Sequence, residues 1–205
     1  MDNKALYNLT YGLFLIGVEA GGRKNACITN TAIQVASNPT RISLACINGN
    51  YTPELIKESG AFSVSILDET TPFEFFRNFG QQHGRAIDKF AGYTPEADSN
   101  GMPYLKDHAC AVLSAKVVSA TDLGSHTLFI AEVTDAVRLS DKAPVTYNDY
   151  QTRIKPKPEE PKADKKIVAW KCKICGYVYK GIELPADFIC PICGHPASDF
   201  EPVYE

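Results

Sequence analysis

Four cysteines near the C-terminal end have the spacing of a metal site. Cys172 and Cys175 form one C-x2-C pair, and Cys190 and Cys193 form a second pair downstream. Each pair can offer two thiolates to one ion, and two pairs complete a tetrahedral sulfur site. A glycine follows each pair, where a turn needs positive φ and backbone N–H groups can point at sulfur. The four cysteines are therefore predicted to bind one metal ion.

The residue types around these cysteines bear on which metal they hold. Four thiolates suit zinc as well as iron, and spacing alone modestly favours zinc. The short segment is, however, rich in aromatic residues, namely Trp170, Tyr177, Tyr179, Phe188 and Phe200. The whole stretch IVAWKCKICGYVYKGIELPADFICPICGHPASDFEPV resembles rubredoxin, a one-iron electron carrier. Its short connection between the cysteine pairs is similar to the rubredoxin-like domain of rubrerythrins. The resemblance implies iron, and structural zinc is the alternative.

Two segments of the larger N-terminal part carry polar groups suited to a cofactor. Residues 25–32 pack hydroxyls and amides densely enough to hydrogen-bond the polar edge of a planar ring, although a polar edge strand would look similar. Residues 45–52 run from a predicted strand into a helix for which Thr52 is the predicted N-cap. Free N–H groups at such a helix start can hold a phosphate, although a plain capped helix is the simpler interpretation.

Together these segments resemble the flavin reductase family, whose members bind FMN on a split β-barrel. The resemblance covers nearly all of residues 1–150 and rests on NACITNTAIQVASNP, ISLACINGNYTPELIKESGAFSVSIL, DKFAGY and DLGSHTLFIAEV. It is closest to the ferric reductase and flavoredoxin types. It implies an isoalloxazine contact for Cys27, Ile28, Thr29, Asn30 and Thr31, and ribityl or phosphate contacts for Cys46, Asn48, Asn50 and Thr52. It further implies Lys89 as a phosphate partner, His126 as a catalytic residue near the nicotinamide of NAD(P)H, and a homodimer.

The pattern of apolar residues predicts a mainly β fold. Strands are expected at Leu13–Glu19, Ile42–Ile47, Ala61–Leu67, Ala111–Ala120 and Leu128–Leu139. Thr52-Pro53 with Gly60, and Thr71-Pro72 with Gly80, are expected to delimit two short helices. We predict an FMN-binding split β-barrel over residues 1–150, a Pro/Lys/Glu-rich linker over 151–166 and a rubredoxin-like domain over 167–205. Residues 1–150 contain three cysteines, Cys27, Cys46 and Cys110. Their apolar neighbours favour inert buried thiols.

Bulk properties exclude several classes of function. A net charge of −3 without a basic stripe gives no footprint for nucleic acid. The longest apolar run near the N-terminus, Leu13 to Val18, is too short to cross a bilayer and has no signal-peptide features. These observations predict a cytoplasmic protein, in which seven cysteines are not expected to form disulfides.

The two modules together predict an electron-transfer flavoprotein. NAD(P)H would reduce FMN, FMN would reduce the rubredoxin iron, and the iron would reduce an external acceptor. Chains of this combined type resemble the high-molecular-weight rubredoxins of anaerobes, which implies a flavodiiron oxygen or nitric oxide reductase as the acceptor. The alternatives are a ferric or free-flavin reductase with an accessory metal domain, and a flavoredoxin-like carrier that does not oxidise NAD(P)H.

Overall fold

The computed structural model describes residues 2–157 and 166–204. It divides into two compact units, Met1–Lys155 and Pro156–Glu205. Strands make up 44% of the chain and helices 17%, which confirms the predicted mainly β class. No helix within the described residues is both long and apolar enough to cross a membrane.

The described residues of the first unit form nine strands. They are β1 Phe14–Ala20, β2 Arg23–Thr29, β3 Ile33–Ser37, β4 Thr40–Ile47, β5 Ala61–Leu67, β6 Glu96–Ala97, β7 Pro103–Tyr104, β8 Ala109–Asp122 and β9 His126–Arg138. Seven of them form one antiparallel sheet in the order β2-β1-β5-β8-β9-β4-β3, and β6 pairs with β7. The five strands expected from the sequence are all present, with ends that differ by at most two residues.

Both faces of the sheet are covered, which explains why its central strands have apolar residues at consecutive positions. On β1, Ile16 packs into one core cluster and Leu15 into the other. The cluster of Ile16 fills the interior of the barrel and includes Phe62 and Phe129. The cluster of Leu15 lies on the outer face and is dominated by aromatic side chains such as Phe79.

The sheet closes on itself where the chain leaves β2. Thr31 donates a hydrogen bond of 2.7 Å from Oγ1 to the carbonyl of Ala45 in β4, and Oγ1 accepts one of 3.3 Å from the Ala45 N–H. Strands β2 and β4 are not neighbours in the hydrogen-bonded order, so these side-chain contacts replace a backbone ladder. We call this junction, with Cys27 and Thr31 on one side and Ala45 and Cys46 on the other, the closing seam.

Two helices pack on the two cores. Helix α1 spans Tyr51–Ser59 and α2 spans Phe73–Gln81. The predicted end of α1 is confirmed, because Gly60 is the C-cap with φ of 71°, where glycine is least strained. The predicted N-cap is wrong: Asn50 precedes the helix, and Thr52 lies inside its first turn. Helix α2 likewise runs past Gly80, the residue expected to end it.

The C-terminal part of the first unit differs from the expected linker. Helix α3, Tyr147–Asp149, continues into a π-helical turn at Tyr150–Ile154. Thr146 caps α3 through a reciprocal pair of hydrogen bonds with Asp149. Tyr150 and Ile154 pack against the outer core cluster, and this burial stabilises the helical turn. The charged and proline-rich sequence around them had suggested an extended linker instead. Residues 158–165 of that tether lie outside the described residues.

The second unit is a small three-stranded sheet. Its strands are β10 Ile167–Cys172, β11 Val178–Tyr179 and β12 Phe200–Tyr204, in the order β11-β10-β12. Phe188 packs between Tyr179 and Phe200, with ring centroids 4.8 and 5.4 Å away. So little apolar core leaves a unit of this size dependent on a further source of stability.

Candidate functional site

A chain of buried polar side chains connects β2, β4 and α1. The Asn25 amide donates a hydrogen bond of 2.9 Å to Oγ1 of Thr52. The Thr52 hydroxyl and the Cys46 thiol both lower the pKa of the Cys27 thiol. All four side chains are at least nine-tenths buried. The structure thus brings together Cys27, Cys46 and Thr52, which the sequence assigned to a cofactor, and adds Asn25, which it did not.

These contacts change the chemistry of the two thiols in opposite directions. The hydrogen bond from Cys46 lowers the pKa of Cys27 to about 7 against the opposing effect of burial, with smaller help from Thr52 and the charge of Lys89. The same hydrogen bond, together with burial, raises the pKa of Cys46 well above its usual value. All three cysteines of the first unit, Cys27, Cys46 and Cys110, are buried as predicted. Burial raises the pKa of Cys110.

Lys89 is placed differently from an exposed phosphate partner. Its side chain is 5% exposed, and Nζ donates to the carbonyls of Ala26 at 3.1 Å and Phe79 at 2.8 Å. Burial lowers its pKa, partly offset by the charge of Cys27. These two hydrogen bonds connect β2 to α2 through a buried ammonium group. A phosphate contact for Lys89 stays a prediction, and this geometry does not favour it.

The remaining residues predicted on the isoalloxazine side lie at the exit of β2. Ile28, Thr29, Asn30 and Thr31 are all half-buried. The hydroxyls of Thr29 and Thr31 are 2.8 Å apart, and Thr31 is held on β4 by the closing seam. The hydroxyl and amide groups of these residues are therefore partly accessible to solvent, close to Cys27. Such an accessible polar surface suits a planar polar ligand.

Asn48 and His126 lie at the end of β4, where the chain turns towards α1. Asn48 donates to Oδ1 of Asp122 and to the carbonyl of Gly124, and it accepts from Thr127. Its side chain therefore braces the hairpin between β8 and β9. His126 begins β9 opposite Ile47 and lies 2.8 Å from Oγ of Ser125 through Nδ1.

A cavity of about 860 Å³ opens beside the start of α1. Its lining includes Arg23 and Lys24 from β2, Tyr51 from α1, and Arg85 and Asp88 from the loop after α2. The volume is within the range of small-molecule and cofactor sites. The sequence does not reveal this cavity, because its cationic residues come from segments far apart in the chain.

The two arginines of this cavity are held in place around Tyr51. Arg85 stacks over the ring at 4.6 Å and Arg23 approaches it at 6.0 Å. Glu54 pairs with Arg85, and Glu58 pairs with Arg23 at 2.5 Å. The hydrogen bond to Glu58 is the main cause of the raised pKa of Arg23. Planar, always-charged guanidiniums of this kind suit the phosphate of a nucleotide.

The observed groups fit a flavin mononucleotide. Asn50 is the N-cap of α1, and its side chain makes no capping hydrogen bond among the described residues. The first N–H groups of the helix have no partner within the helix and favour an anion. Hydroxyl and amide groups at the exit of β2 would face the ring, and the helix start would take the phosphate.

The four predicted metal ligands converge in the second unit. Their sulfur atoms all lie within 4.8 Å of one another. Sγ of Cys172 is 3.6 Å from that of Cys193, and Sγ of Cys175 is 3.4 Å from that of Cys190. A tetrahedron with metal–sulfur bonds of about 2.3 Å has edges of about 3.8 Å, so the arrangement fits one ion.

The two cysteine loops have the same local geometry, as expected for a metal site of this kind. Gly176 and Gly194 have φ of 79° and 72°, and their N–H groups bond the carbonyls of Cys172 and Cys190 at 2.9 Å. The backbone N–H groups of Tyr177 and His195 lower the pKa of the Cys175 and Cys193 thiols, although other effects outweigh them. Such donors stabilise negative charge on sulfur.

Burial works against free thiolates in this cluster. It is the main cause that raises the pKa of Cys175 to about 11, and it raises that of Cys193 as well. A bound cation replaces these protons and compensates the buried charge. The site thus has both the ligand geometry and the electrostatic need for a metal.

Comparison with known protein families gives two matches. The family model described as "Flavin reductase like domain" matches residues 6–155. The model described as "Rubrerythrin, rubredoxin-like domain" matches residues 170–201. The second match contains all four predicted metal ligands, and a rubredoxin-like domain with four cysteines implies iron.

Two relatives and one solved structure are between 28% and 41% identical to this chain over the regions that match. The high molecular weight rubredoxin of Moorella thermoacetica is 35% identical, over 99% of this chain and 100% of its own length. The ferric-chelate reductase (NAD(P)H) of Archaeoglobus fulgidus is 41% identical, over 77% of this chain and 93% of its own length. Among solved structures, the flavin reductase PheA2 superposes with a TM-score of 0.60 and 28% identity, over 71% of this chain and 93% of that one.

Proposed function

From the premise that the chain belongs to the flavin reductase-like family and ends in a rubredoxin-like domain, we propose that it is an NAD(P)H-dependent electron-transfer flavoprotein. Electrons would pass from NAD(P)H through FMN to a one-iron centre and then to an acceptor protein. When bound, FMN accepts a hydride and can release its electrons singly, which suits a centre that takes one electron at a time.

One observation supports this function above the others. A four-sulfur site built for one metal ion lies in the same chain as a flavin reductase-like unit. A plain flavin reductase needs no such site. The relative that matches over the full length of both chains carries the printed name of a rubredoxin, which also favours electron transfer.

In this proposal the protein's own residues bind and orient the reactants. Thr29, Asn30 and Thr31 would hydrogen-bond the flavin ring, and the start of α1 with Asn50 would hold the phosphate. His126 would lie near the nicotinamide. The iron ion would be bound by Cys172, Cys175, Cys190 and Cys193.

Arg23 and Arg85 are candidates for a nucleotide phosphate beyond that of the flavin, because their cavity adjoins the start of α1. Their present ion pairs with Glu58 and Glu54 would be exchanged for the phosphate, a change that costs little between exposed groups. Replacing both arginines by glutamine is expected to raise the KM for the pyridine nucleotide more than it lowers kcat.

The electron acceptor is proposed to be a flavodiiron oxygen or nitric oxide reductase, and the protein is proposed to work in the cytoplasm.

The protein is also proposed to form a homodimer. Edge strand β3 exposes Ile33 by 57% and Val35 by 48%, and apolar edge strands of this kind are usually covered. Light scattering of the purified protein will measure the mass in solution.

A second candidate function is ferric-chelate reduction with the metal domain as an accessory. The 41% identity to a ferric-chelate reductase over the first unit favours it. The two functions are distinguished by a chain that ends at Lys155, compared with the full chain. If electron transfer through iron is the function, truncation abolishes reduction of the flavodiiron acceptor and leaves ferric-chelate reduction unchanged. If both rates are unchanged, the metal domain is accessory and the first proposal fails.

A further inference from the structure

A cluster of cations faces the cavity beside the start of α1. Within the part of the chain that the structure describes, the cavity is lined by one carboxylate, Asp88, and by three cationic side chains, Arg23, Lys24 and Arg85. The carboxylate is already engaged, because Oδ1 of Asp88 accepts a hydrogen bond of 2.9 Å from the N–H of Phe90. The cavity wall therefore presents more positive than negative charge to a ligand.

The glutamates that hold the two arginines come from helix α1. Glu54 pairs with Arg85 and Glu58 with Arg23, and neither glutamate is among the described residues that line the cavity. All four side chains are about half-exposed, so the two ion pairs are weak and can be exchanged for a better acceptor at little cost. A dianionic phosphate is such an acceptor, because a planar guanidinium binds it through two parallel hydrogen bonds.

The loop that carries Arg85 is fixed against β2 by close packing. A Cβ on Gly84 would lie 2.0 Å from Oδ1 of Asn25, and Asn25 is itself buried and hydrogen-bonded to Thr52. Arg23 lies two residues before Asn25 in β2, so one buried contact positions the backbone next to both arginines. A site that is formed in advance loses little conformational freedom when a ligand binds.

Aromatic side chains form another part of the same cavity. Tyr51, Phe90 and Tyr93 line it, and its volume of about 860 Å³ is within the range of cofactor sites. The guanidinium of Arg85 lies over the Tyr51 ring, 4.6 Å from its centroid. Aromatic rings and guanidinium planes are the surfaces on which nucleic-acid bases stack in proteins. The cavity thus combines a stacking surface for adenine with cations for a phosphate.

We propose that this cavity binds the 2′-phosphoadenosine end of NADPH, and that Arg23 and Arg85 make NADPH the preferred electron donor over NADH. The inference rests on the proposed NAD(P)H-dependent function and adds the choice between the two donors. A phosphate monoester carries a charge of about −1.5 to −2 at neutral pH, so it can replace the glutamates on the guanidiniums. NADH has an uncharged hydroxyl at the 2′ position, which cannot. An arginine beside the adenosine ribose is a recurrent way in which proteins accommodate the 2′-phosphate.

Calorimetric titration of the full chain, saturated with FMN, tests the inference without turnover. The two probes are adenosine 2′,5′-bisphosphate and adenosine 5′-monophosphate, which differ only in the 2′-phosphate. We expect the bisphosphate to bind about tenfold more tightly or better, because charge-assisted hydrogen bonds form to that group. In the double variant Arg23→Gln with Arg85→Gln, the two probes are expected to bind with similar affinity. Arg77→Gln is the control, because it removes an arginine that pairs with Glu74 on α2 and keeps the cavity lining intact.

Initial rates with NADPH and NADH complete the test. We expect a higher kcat/KM for NADPH in the wild type, and we expect the double variant to lose this preference through a raised KM for NADPH. Equal affinities of the wild type for the two probes, or an unchanged preference in the double variant, would overturn the inference. Loss of FMN from the double variant alone would also overturn it, because the cavity would then hold the flavin phosphate. If neither nucleotide reduces the flavin, the proposed function fails, while the probe affinities still show whether the cavity binds the 2′-phosphate.

Discussion

The side-chain amide of Asn25 lies 2.9 Å from Oγ1 of Thr52, within a fully buried contact between β2 and α1. Gly84 covers this contact so closely that a Cβ there would lie 2.0 Å from Oδ1 of Asn25. The pair fixes the start of α1 against the strand that carries the predicted flavin contacts. The Thr52 hydroxyl also helps to lower the pKa of the Cys27 thiol.

Thr52→Val is expected to destabilise the first unit by about 1–3 kcal/mol, because it leaves the buried Asn25 amide without its acceptor. The side-chain volume hardly changes, so the loss reports the hydrogen bond rather than packing. Denaturant unfolding measures it. Thr52→Ser keeps the hydroxyl and is expected to retain most of the stability. Equal losses in the two variants would show that the methyl group, and not the hydrogen bond, matters here.

Gly17→Ala is expected to destabilise the first unit by about 3 kcal/mol or more, which is the upper range for overpacking. A Cβ at Gly17 would lie 1.8 Å from the carbonyl oxygen of Pro103, and backbone on both sides has no room to move. Gly49→Ala is the control, since a Cβ there meets nothing within 4 Å. Similar unfolding midpoints for the two variants would contradict the close packing of β1 against β7.

Cys193→Ser is expected to abolish stoichiometric metal binding and the cooperative unfolding of the second unit, because metal binding supplies its folding energy. Elemental analysis and calorimetry measure the two effects. The first unit should keep its own transition. Cys110→Ser, which removes a cysteine outside the cluster, is expected to leave the metal content unchanged. A folded, metal-free second unit in Cys193→Ser would contradict this dependence.

The stability of the first unit should depend on pH through Cys27. Its pKa falls from 9.0 to about 7 on folding, so its contribution to stability is fully present above about pH 9. That contribution is lost as the pH falls through 7, because the thiolate becomes protonated. The difference in unfolding free energy between wild type and Cys27→Ser should therefore shrink from pH 9 to pH 6. A difference that is constant over this range would place the pKa near its usual value.

The sequence predicted the parts of the molecule that depend on local pattern. The spacing of Cys172, Cys175, Cys190 and Cys193 identified a cluster that the structure assembles, because each C-x2-C turn is determined by adjacent residues. The apolar runs likewise located five strands. Strand β3 was missed because Ile33–Ser37 is mostly exposed and shows no buried face.

Features that depend on long-range contacts were not predictable in the same way. Thr52 has the residue type of an N-cap, but its hydroxyl is engaged by Asn25, and the helix begins one residue before it. Lys89 suggested a phosphate partner, yet the fold encloses its ammonium between two carbonyls. Arg23 and Arg85 meet only because α1 and the loop after α2 converge.

The central claim is that one chain passes electrons from NAD(P)H through a flavin to iron. Anaerobic titration of the as-isolated protein with NADH, and separately with NADPH, followed by visible absorbance, tests it most directly. We expect the flavin bands to bleach first and the red ferric–thiolate bands to bleach after them. If both chromophores are present and neither nucleotide reduces them, or if the flavin bleaches in a chain that contains zinc and no iron, the proposed electron path is contradicted.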